Sequence, residues 1–305
     1  MLKVNIVESK TVLVQSKLPS DDFVINPYSG CAFGCIYCYA DFTRRFSGHL
    51  KDEWGEYVDV RINAPEVLDK EIKKLIRKMK SSPSNIWKNG KYPMILMSSV
   101  TDPYQGAESK YKVTRGCITV LVENSFEGEL SILTKSALVT RDIDLFKKLK
   151  RVSVGLTITS TNDETSRFFE KNAPLASTRI QALKKLNDAG IKTYVCINPL
   201  LPHFADKDNN LEELFAAIKN AGTNEVFVEH LNLSGKKKSR IKKEITRQLG
   251  QTDLVNIWNT QEEEYKRELE TVIYNLLDKY KIQVLAGGII DHEKIMKKGT
   301  KFVMR

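Results

Sequence analysis

Short apolar segments alternate with amphipathic segments along most of the chain. Six apolar segments predict strands, near residues 22–28, 94–100, 130–135, 151–159, 192–198 and 225–231. The segments between them repeat apolar residues at helical spacing, near 65–80, 112–123, 141–149, 174–189 and 210–220. Strands that alternate with helices form right-handed βαβ units on a parallel sheet. The pattern therefore predicts an α/β fold, a partial (β/α)6 TIM-type barrel with parallel strands.

The two ends of the chain predict additions to this barrel. Residues 1–19 predict a short N-terminal β extension, and residues 20–235 the barrel itself. A long helix near 253–279 and a strand near 282–286 predict a C-terminal helical extension, 236–305, packed on the barrel. In barrels of this type, functional groups lie where the strands reach their carboxyl ends.

Composition narrows the class of protein. The chain has 305 residues, 41% of them hydrophobic and 28% charged, as in soluble globular proteins. It contains no apolar run of the roughly 20 residues that a membrane helix needs, and its first residues do not resemble a signal peptide. We therefore expect a cytoplasmic protein with no membrane partner.

The charge balance is basic. Lysine and arginine number 48 against 38 aspartates and glutamates, which gives a net charge of +10. This excess favours anionic partners such as DNA, RNA, nucleotides or acidic peptides, although solubility accounts for it equally well. The densest basic run, 236–243, is predicted to begin a helix, and a solvated helix face is its simplest interpretation.

Three cysteines follow the first predicted barrel strand. The segment NPYSGCAFGCIYCYA places Cys31, Cys35 and Cys38 in the spacing C-x3-C-x2-C. Cysteine thiolates are the usual ligands of iron–sulfur clusters, and three of them bind three irons of a 4Fe–4S cluster and leave the fourth open. Zinc sites usually pair two C-x2-C knuckles with four ligands in all, and the nearest further candidate here is His49. Cys117 and Cys196 stand apart and are interpreted as core residues.

Polar residues end several of the predicted strands. The second strand runs into SSVTDPYQ, whose hydroxyls suit an amine and a ribose, although Asp-Pro is also an ordinary turn. The third strand ends at Lys135, which either pairs with a carboxylate or caps the next element on the surface. Glu170 and Arg179 follow the fourth strand, and either bind a ligand or form a salt bridge. His203 and His230 follow the fifth and sixth strands, where a lone histidine is more often structural.

Four segments together resemble one known group of proteins. NPYSGCAFGCIYCYA, SSVTDPYQ, LTKS and FEKNAPLASTR are similar to the spore photoproduct lyase-like group of the radical S-adenosylmethionine superfamily, over roughly residues 20–235. The resemblance implies a partial α/β barrel with a 4Fe–4S cluster at its mouth. It also implies reductive cleavage of S-adenosylmethionine, abstraction of a hydrogen atom from a substrate, and a flavodoxin- or ferredoxin-type reductant.

The resemblance also implies roles for individual residues. Cys31, Cys35 and Cys38 would bind the cluster. The S-adenosylmethionine ligands would be Tyr37 at the adenine and Ser98, Ser99 and Lys135 at the methionyl end, with Thr101 and Thr157 nearby. Tyr39 and Ser99 would be the catalytic positions, and the weaker substrate candidates are Asp102, Tyr104, Glu170, Arg179 and His230.

One position departs from the pattern of the group. The lyase of this group has a hydrogen-donating cysteine at the end of the second strand, where this chain reads Ser98-Ser99-Val100. A serine O–H bond is too strong for the same task. The expected function is therefore a different radical reaction, on a nucleic acid, a nucleotide or another anionic molecule. The alternatives are radical chemistry on a small metabolite or peptide, and a non-enzymatic metal or iron–sulfur module that binds nucleic acid.

Overall fold

The computed structural model describes residues 2–81, 87–204, 209–233, 236–249 and 263–292. Within these residues the strands form two sheets. In chain order they are β1 (Lys3–Val7), β2 (Leu13–Gln15), β3 (Phe23–Ile25), β4 (Tyr28–Ser29), β5 (Tyr57–Arg61), β6 (Met94–Met97), β7 (Glu129–Thr134), β8 (Val152–Thr157), β9 (Lys192–Leu200), β10 (Glu225–His230) and β11 (Gln283–Val284).

The larger sheet is the barrel wall. Its strands lie in the order β11-β10-β9-β8-β7-β6-β3-β2, and every neighbouring pair is parallel except β2 with β3. The six strands from β3 to β10 thus succeed one another as they do along the chain, which confirms the predicted partial barrel. Their carboxyl ends meet at one edge, called the mouth below.

The helices connect these strands. They are α1 (Ala64–Ser81), α2 (Gly106–Tyr111), α3 (Val113–Glu123), α4 (Ile143–Phe146), α5 (Asp163–Phe169), α6 (Ala176–Asp188), α7 (Asn210–Asn220), α8 (Lys236–Leu249) and α9 (Glu263–Tyr280). In the part of the chain that the structure describes, 3₁₀ helices span Tyr39–Arg45 and Ala137–Asp142. Helix α1 shows why the periodicity was informative, since its residues Leu68, Ile72 and Leu75 are buried and its lysines face outward.

The structure differs from the predicted elements at several points. The strand predicted at 22–28 is divided, because Pro27 has no N–H to donate and the chain leaves the barrel there. Strand β4 pairs instead with β5 in the small sheet β1-β5-β4. The helix predicted at 141–149 is a 3₁₀ turn followed by four α-helical residues. The start of the helix predicted at 253–279 lies outside the described residues.

The C-terminal elements contact the barrel on its outer side and at its edge. Helix α9 packs against α7, and Glu270 of α9 lies 2.9 Å from the Nε2 atom of His230 on β10. Strand β11 extends the large sheet beside β10. The domain boundaries at residues 19 and 235 stay a prediction. No described helix has both the length and the apolar character required to cross a lipid bilayer.

Candidate radical-chemistry site at the barrel mouth

The three predicted cluster cysteines lie on one loop, residues 30–38, called the cysteine loop below. Cys31 and Cys35 are buried, Cys38 is half-buried, and all carry free thiols. The Cys38 amide donates to the Cys35 carbonyl over 3.1 Å, which folds the loop into a tight turn. Gly34 has φ +60°, a left-handed conformation in which a side chain is strained. The loop thus gathers three thiols at the mouth.

Neighbouring loops hold the cysteine loop through its backbone. The fully buried Gln105 accepts from the Ala32 amide over 2.8 Å and donates to the Gly30 carbonyl over 3.2 Å. On the opposite side, Asn172 donates to the Ala32 carbonyl over 2.9 Å. The Ile36 amide donates to the carbonyl of Phe169 over 3.0 Å. These contacts hold the loop through its backbone, and none of them involves a cysteine thiol.

Helix α8 supplies a further hold. Arg240 donates from Nε to the Ile36 carbonyl over 2.6 Å and from Nη2 to the Cys38 carbonyl over 2.8 Å. Its Nη1 atom lies 3.3 Å from Asp41, just beyond the loop. The basic run that begins α8 is therefore more than a solvated face, because one of its cations reaches the cysteine loop.

Burial raises the pKa values of the three thiols, and nearby cations partly offset this effect at Cys35 and Cys38. Burial raises the pKa of Cys31, of Cys38 and of Cys35, the last to about 12. The charge of Lys135 acts in the opposite direction on Cys35 and Cys38, and Arg240 does so on Cys38. Metal binding requires thiolates, so fixed cations beside the thiols favour the bound form. This donor set fits the cluster expected from the cysteine spacing.

A cluster and a single ion make different geometric demands. Among the residues that the structure describes, no three histidine, cysteine or acidic side chains lie close enough to hold one metal ion. In a 4Fe–4S cluster each thiolate binds a different iron, so the sulfur atoms need not converge on one point. His49, the further zinc candidate, instead lies between Asp52 and Asp59, at 2.6 and 3.0 Å.

A buried ionic network lies beneath the cysteine loop. Glu170 is fully buried, accepts from the hydroxyl of Tyr37 and is ion-paired with Arg179. The Nζ atom of Lys135 lies 3.8 Å from Glu170 and 5.6 Å from the centre of the Tyr37 ring. Burial would raise the pKa of Glu170, but the charges of Arg179 and Lys135 lower it below its ordinary value. The network thus fixes Tyr37 and Lys135 relative to one another.

Arg179 donates hydrogen bonds to several groups of the protein. Besides Glu170, it donates to the carbonyls of Pro174 and Thr157 over 2.8 and 3.0 Å, and the whole residue is buried. Of the two interpretations that the sequence left open for Glu170 and Arg179, the structure shows the salt bridge. Thr157, a predicted cofactor residue, is buried at the end of β8 and contributes its carbonyl to this arrangement.

The end of β6 contains a strained and unpartnered residue. Ser98 has φ +70°, is 6% exposed, and its buried hydroxyl makes no hydrogen bond within the described structure. The Thr159 hydroxyl beyond β8 is also buried and makes no hydrogen bond within the described structure. Buried polar atoms are nearly always paired, so two unpaired hydroxyls at the mouth are typical of a ligand site. Next to Ser98, the Ser99 carbonyl accepts a hydrogen bond from the hydroxyl of Tyr39.

Other predicted residues act as supports of the mouth. Thr101 donates to the carbonyl of Gly30 in the cysteine loop. Asp102 accepts from the Thr134 hydroxyl over 2.6 Å and from the Lys135 amide over 2.8 Å, which joins the ends of β6 and β7. Tyr104 is 1% exposed and bonds Asp142. His230 is buried against Glu270, so these side chains hold the protein together around the site.

Sequence reasoning missed three residues that hold the cysteine loop. Gln105, Asn172 and Arg240 all act on its backbone, and a backbone acceptor leaves no mark in the sequence. Gln105 and Asn172 lie in the segments SSVTDPYQ and FEKNAPLASTR, but nothing in the sequence indicates that they hold the cysteine loop. Arg240 stood in a basic run, and its role depends on where α8 packs.

Comparisons with known sequences identify a family and several relatives of the chain. The family model of the Radical SAM superfamily matches residues 25–218. An uncharacterized protein of Methanocaldococcus jannaschii is 37% identical over 228 residues, which cover 74% of this chain and 77% of that protein. An uncharacterized protein of Acidianus two-tailed virus is 28% identical over 261 residues, covering 78% and 80%. One of Mycobacterium tuberculosis strain H37Rv is 30% identical over 217 residues, covering 70% of this chain and 59% of its own length.

Solved structures share the fold. Spore photoproduct lyase complexed with dinucleoside spore photoproduct superposes with a TM-score of 0.68 at 17% identity, covering 92% of this chain and 80% of the lyase chain. Streptococcus suis SuiB bound to its precursor peptide SuiA gives 0.55 at 12% identity, covering 90% of this chain and 50% of that one. At these identities the likeness establishes the partial barrel.

Proposed function

The chain belongs to the radical S-adenosylmethionine superfamily and is a radical S-adenosylmethionine enzyme, and we propose that it holds a 4Fe–4S cluster on Cys31, Cys35 and Cys38. One observation carries this proposal: three thiols lie on one buried loop at the barrel mouth, beside the cations Lys135 and Arg240. When bound, a reduced cluster would supply the electron for cleavage of S-adenosylmethionine, and with it the radical chemistry that removes a hydrogen atom from the substrate.

The chain's own residues bind and orient S-adenosylmethionine. Lys135 provides a positive charge for the methionyl carboxylate, and Glu170 fixes it in place. The unpartnered Ser98 hydroxyl provides a hydrogen-bonding group at the methionyl end, beside Ser99. Tyr37, whose hydroxyl Glu170 anchors, borders the adenine. Glu170 positions Lys135 and Tyr37, and the Ser98 hydroxyl is left without a partner in the described structure, which supports these assignments.

Thr101 and Thr157 contribute by holding the walls of this site. Thr101 binds the carbonyl of Gly30, immediately before the first cysteine. The Thr157 carbonyl holds Arg179, which in turn pairs with Glu170. We therefore assign both threonines to the cofactor site, Thr101 through its hydroxyl and Thr157 through its backbone carbonyl.

The substrate proposed is a nucleic acid or nucleotide. The net charge of +10 favours an anion, and the structurally similar lyase is complexed with a dinucleoside. Tyr39 and Ser99 border the reacting atoms in this proposal, since they are joined by a hydrogen bond directly beyond the third cysteine. Because Ser99 carries a hydroxyl and not a thiol, we do not assign it the return of a hydrogen atom. The electron comes from a flavodoxin- or ferredoxin-type partner.

The test is anaerobic turnover with matched variants. Protein reconstituted with iron and sulfide is reduced and supplied with S-adenosylmethionine, and 5′-deoxyadenosine is quantified. We expect turnover in the wild type and none in Cys35→Ala. Cys117→Ala removes a buried thiol of helix α3 that is not part of the cysteine loop, and is expected to retain both the cluster absorbance and turnover.

The substrate class is tested in the same reaction with deuterated compounds. Deuterium transferred to 5′-deoxyadenosine from a labelled DNA or RNA oligonucleotide would support the nucleic acid proposal. Transfer from peptides alone would overturn it and favour the peptide alternative. Bound zinc with no cluster and no 5′-deoxyadenosine would overturn the cluster assignment itself.

A further inference from the structure

An aromatic ladder lies on the surface directly beyond the cysteine loop. It consists of Tyr39, Phe42 and Phe46, which are 56%, 48% and 81% exposed. The ring centres of Tyr39 and Phe42 are 6.5 Å apart and nearly parallel at 25°, and those of Phe42 and Phe46 are 6.4 Å apart. Adjacent aromatic rings this exposed leave apolar surface in water, which is typical of a surface that meets a partner.

The 3₁₀ helix Tyr39–Arg45 explains why the rings share one face. Such a helix has three residues per turn, so positions three apart project from the same side, as Tyr39 and Phe42 do. Phe46 continues the row one step beyond the helix. The opposite side is anchored, because Ala40 is buried and Asp41 lies 3.3 Å from Arg240 of helix α8. The ladder is thus presented on a fixed support.

Cations flank the ladder. Arg45 and Lys51, from the same segment, are exposed. Helix α8 is fastened to this segment by the Arg240 contacts with Asp41 and Cys38, and it carries exposed Lys238, Lys242 and Lys243. The two joined elements therefore carry stacked aromatic faces and exposed positive charges.

This combination selects the partner. An apolar protein partner would match the rings but not the cations, whereas a duplex would match the cations but keep its bases stacked inside. A single strand offers both unstacked bases for the rings and phosphates for the cations. We infer that the aromatic ladder and the exposed lysines of α8 form a docking surface for single-stranded nucleic acid.

The inference rests on the proposed function and narrows its substrate. Tyr39 is both the first ring of the ladder and the residue after Cys38, and its hydroxyl contacts the Ser99 carbonyl. A strand lying along the ladder therefore leads to the cysteine loop. A base stacked against Tyr39 would present its nucleotide to the proposed radical site.

The experiment measures binding of a fluorescein-labelled single-stranded DNA 12-mer of mixed sequence to the full chain, by anisotropy. The Phe42→Ala/Phe46→Ala double variant is expected to raise Kd by about 30-fold or more, as expected for two lost base stacks. Its matched control is Tyr274→Ala, an exposed ring on α9, which is expected to bind like the wild type. Phe42→Trp/Phe46→Trp is expected to retain binding, and thermal unfolding checks that each variant folds.

Salt and strandedness separate the two parts of the surface. Lys242→Gln/Lys243→Gln is expected to reduce the slope of log Kd against log salt by about 1.4, which corresponds to two phosphates of a single strand. The aromatic double variant is expected to keep the wild-type slope. The duplex form of the 12-mer is expected to bind more weakly than the single strand.

Several results would overturn the docking surface. One is unchanged binding in the aromatic double variant, and another is equal affinity for the duplex 12-mer. A third is a wild-type protein that is dimeric, with only the aromatic double variant monomeric. The assay contains neither S-adenosylmethionine nor reductant, so it does not depend on radical chemistry. Binding without 5′-deoxyadenosine formation would count against the proposed function alone, and turnover without binding to the ladder would count against the surface alone.

Discussion

Arg240 donates a 2.6 Å hydrogen bond to the carbonyl oxygen of Ile36, a residue 204 positions earlier in the chain. A second hydrogen bond joins the same guanidinium to the Cys38 carbonyl. Arg240 therefore holds the last turn of the cysteine loop at two points. The proposed cluster site is therefore built from the two ends of the fold, the loop after the first barrel strand and the helix that follows the last. This relationship makes the stability of the loop depend on α8.

Arg240→Ala is expected to loosen the cysteine loop. Hydrogen bonds from a charged donor contribute about 1.5–3 kcal/mol, and partial exposure of Arg240 places the expected loss of unfolding free energy at about 2 kcal/mol. We also expect faster loss of cluster absorbance to a chelator. Arg247→Ala, an exposed position on the same helix paired with Glu244, serves as the control and should leave both quantities unchanged. If the two variants lose the cluster at the same rate, the Arg240 contacts have no role in holding the loop.

Glu170→Gln is expected to be among the most destabilising substitutions in the chain. The change preserves the shape of the side chain but leaves Arg179, and in part Lys135, buried without a counter-charge. Breaking a buried ion pair in this way costs about 3–5 kcal/mol. Chemical denaturation of the cluster-free protein measures the loss.

A double variant distinguishes the ion pair from simple packing. Adding Arg179→Met to Glu170→Gln removes the stranded charge, so the double variant should be less destabilised than the sum of the two single changes. Strictly additive losses would show that Glu170 and Arg179 act independently.

The barrel was predictable because its signal is local. Each barrel strand is a short buried run, and each connecting helix repeats apolar residues on one face, as Leu68, Ile72 and Leu75 do in α1. Strand β5 and helix α5 were missed. Strand β5 lies in the small sheet, away from the alternation, and α5 is only seven residues long. Short elements outside the repeating pattern carry too few residues to show a period.

The candidate site was predictable only where its chemistry lies in consecutive residues. The three cysteines could be identified by their spacing. Lys135 could be identified by its position at the end of a strand. The hydrogen bond between Tyr39 and Ser99, and the hold of Gln105 on Gly30, join residues 60 and 75 positions apart. Such pairs depend on how the strand ends converge, which periodicity does not encode.

The stability contributed by His49 is expected to depend on pH. Burial would lower the pKa of this imidazole, but hydrogen bonds to the carboxylates of Asp52 and Asp59 raise it above its ordinary value. A raised folded-state pKa means that the stabilisation is fully present below the unfolded-state value of about 6.5 and is lost as pH rises through the folded-state value.

Urea denaturation of the wild type and His49→Gln across pH 5.5 to 9 would measure this effect. The difference in unfolding free energy between them should be largest at the acidic end and shrink toward the alkaline end. Taking the difference cancels the titration of the thiols and of the other histidines. A difference that grows with pH would show that His49 is stabilised in its neutral form.

The Ser98 side chain is expected to lower the stability of the fold and to strengthen the binding of S-adenosylmethionine. Its φ of +70° strains a side-chain-bearing residue, and its buried hydroxyl lacks a partner in the described structure. Strain of this kind and an unpaired buried hydroxyl each cost on the order of 1 kcal/mol. Ser98→Gly should therefore unfold at equal or higher denaturant than the wild type, and Ser98→Ala should gain up to about 1 kcal/mol. Both should bind S-adenosylmethionine about tenfold more weakly, the equivalent of one hydrogen bond.

Equilibrium dialysis with S-adenosylmethionine and denaturation of the cluster-free protein measure the two effects of Ser98 separately. Ser177→Ala is the contrasting control, because the Ser177 hydroxyl is bonded to Asp163 over 2.6 Å and its removal should destabilise the fold without changing the affinity for S-adenosylmethionine. If Ser98→Ala behaves like Ser177→Ala, losing stability while its affinity is unchanged, then the Ser98 hydroxyl supports the fold. The opposite pattern, with stability gained and affinity lost, is the signature of a group that the chain holds under strain for a ligand.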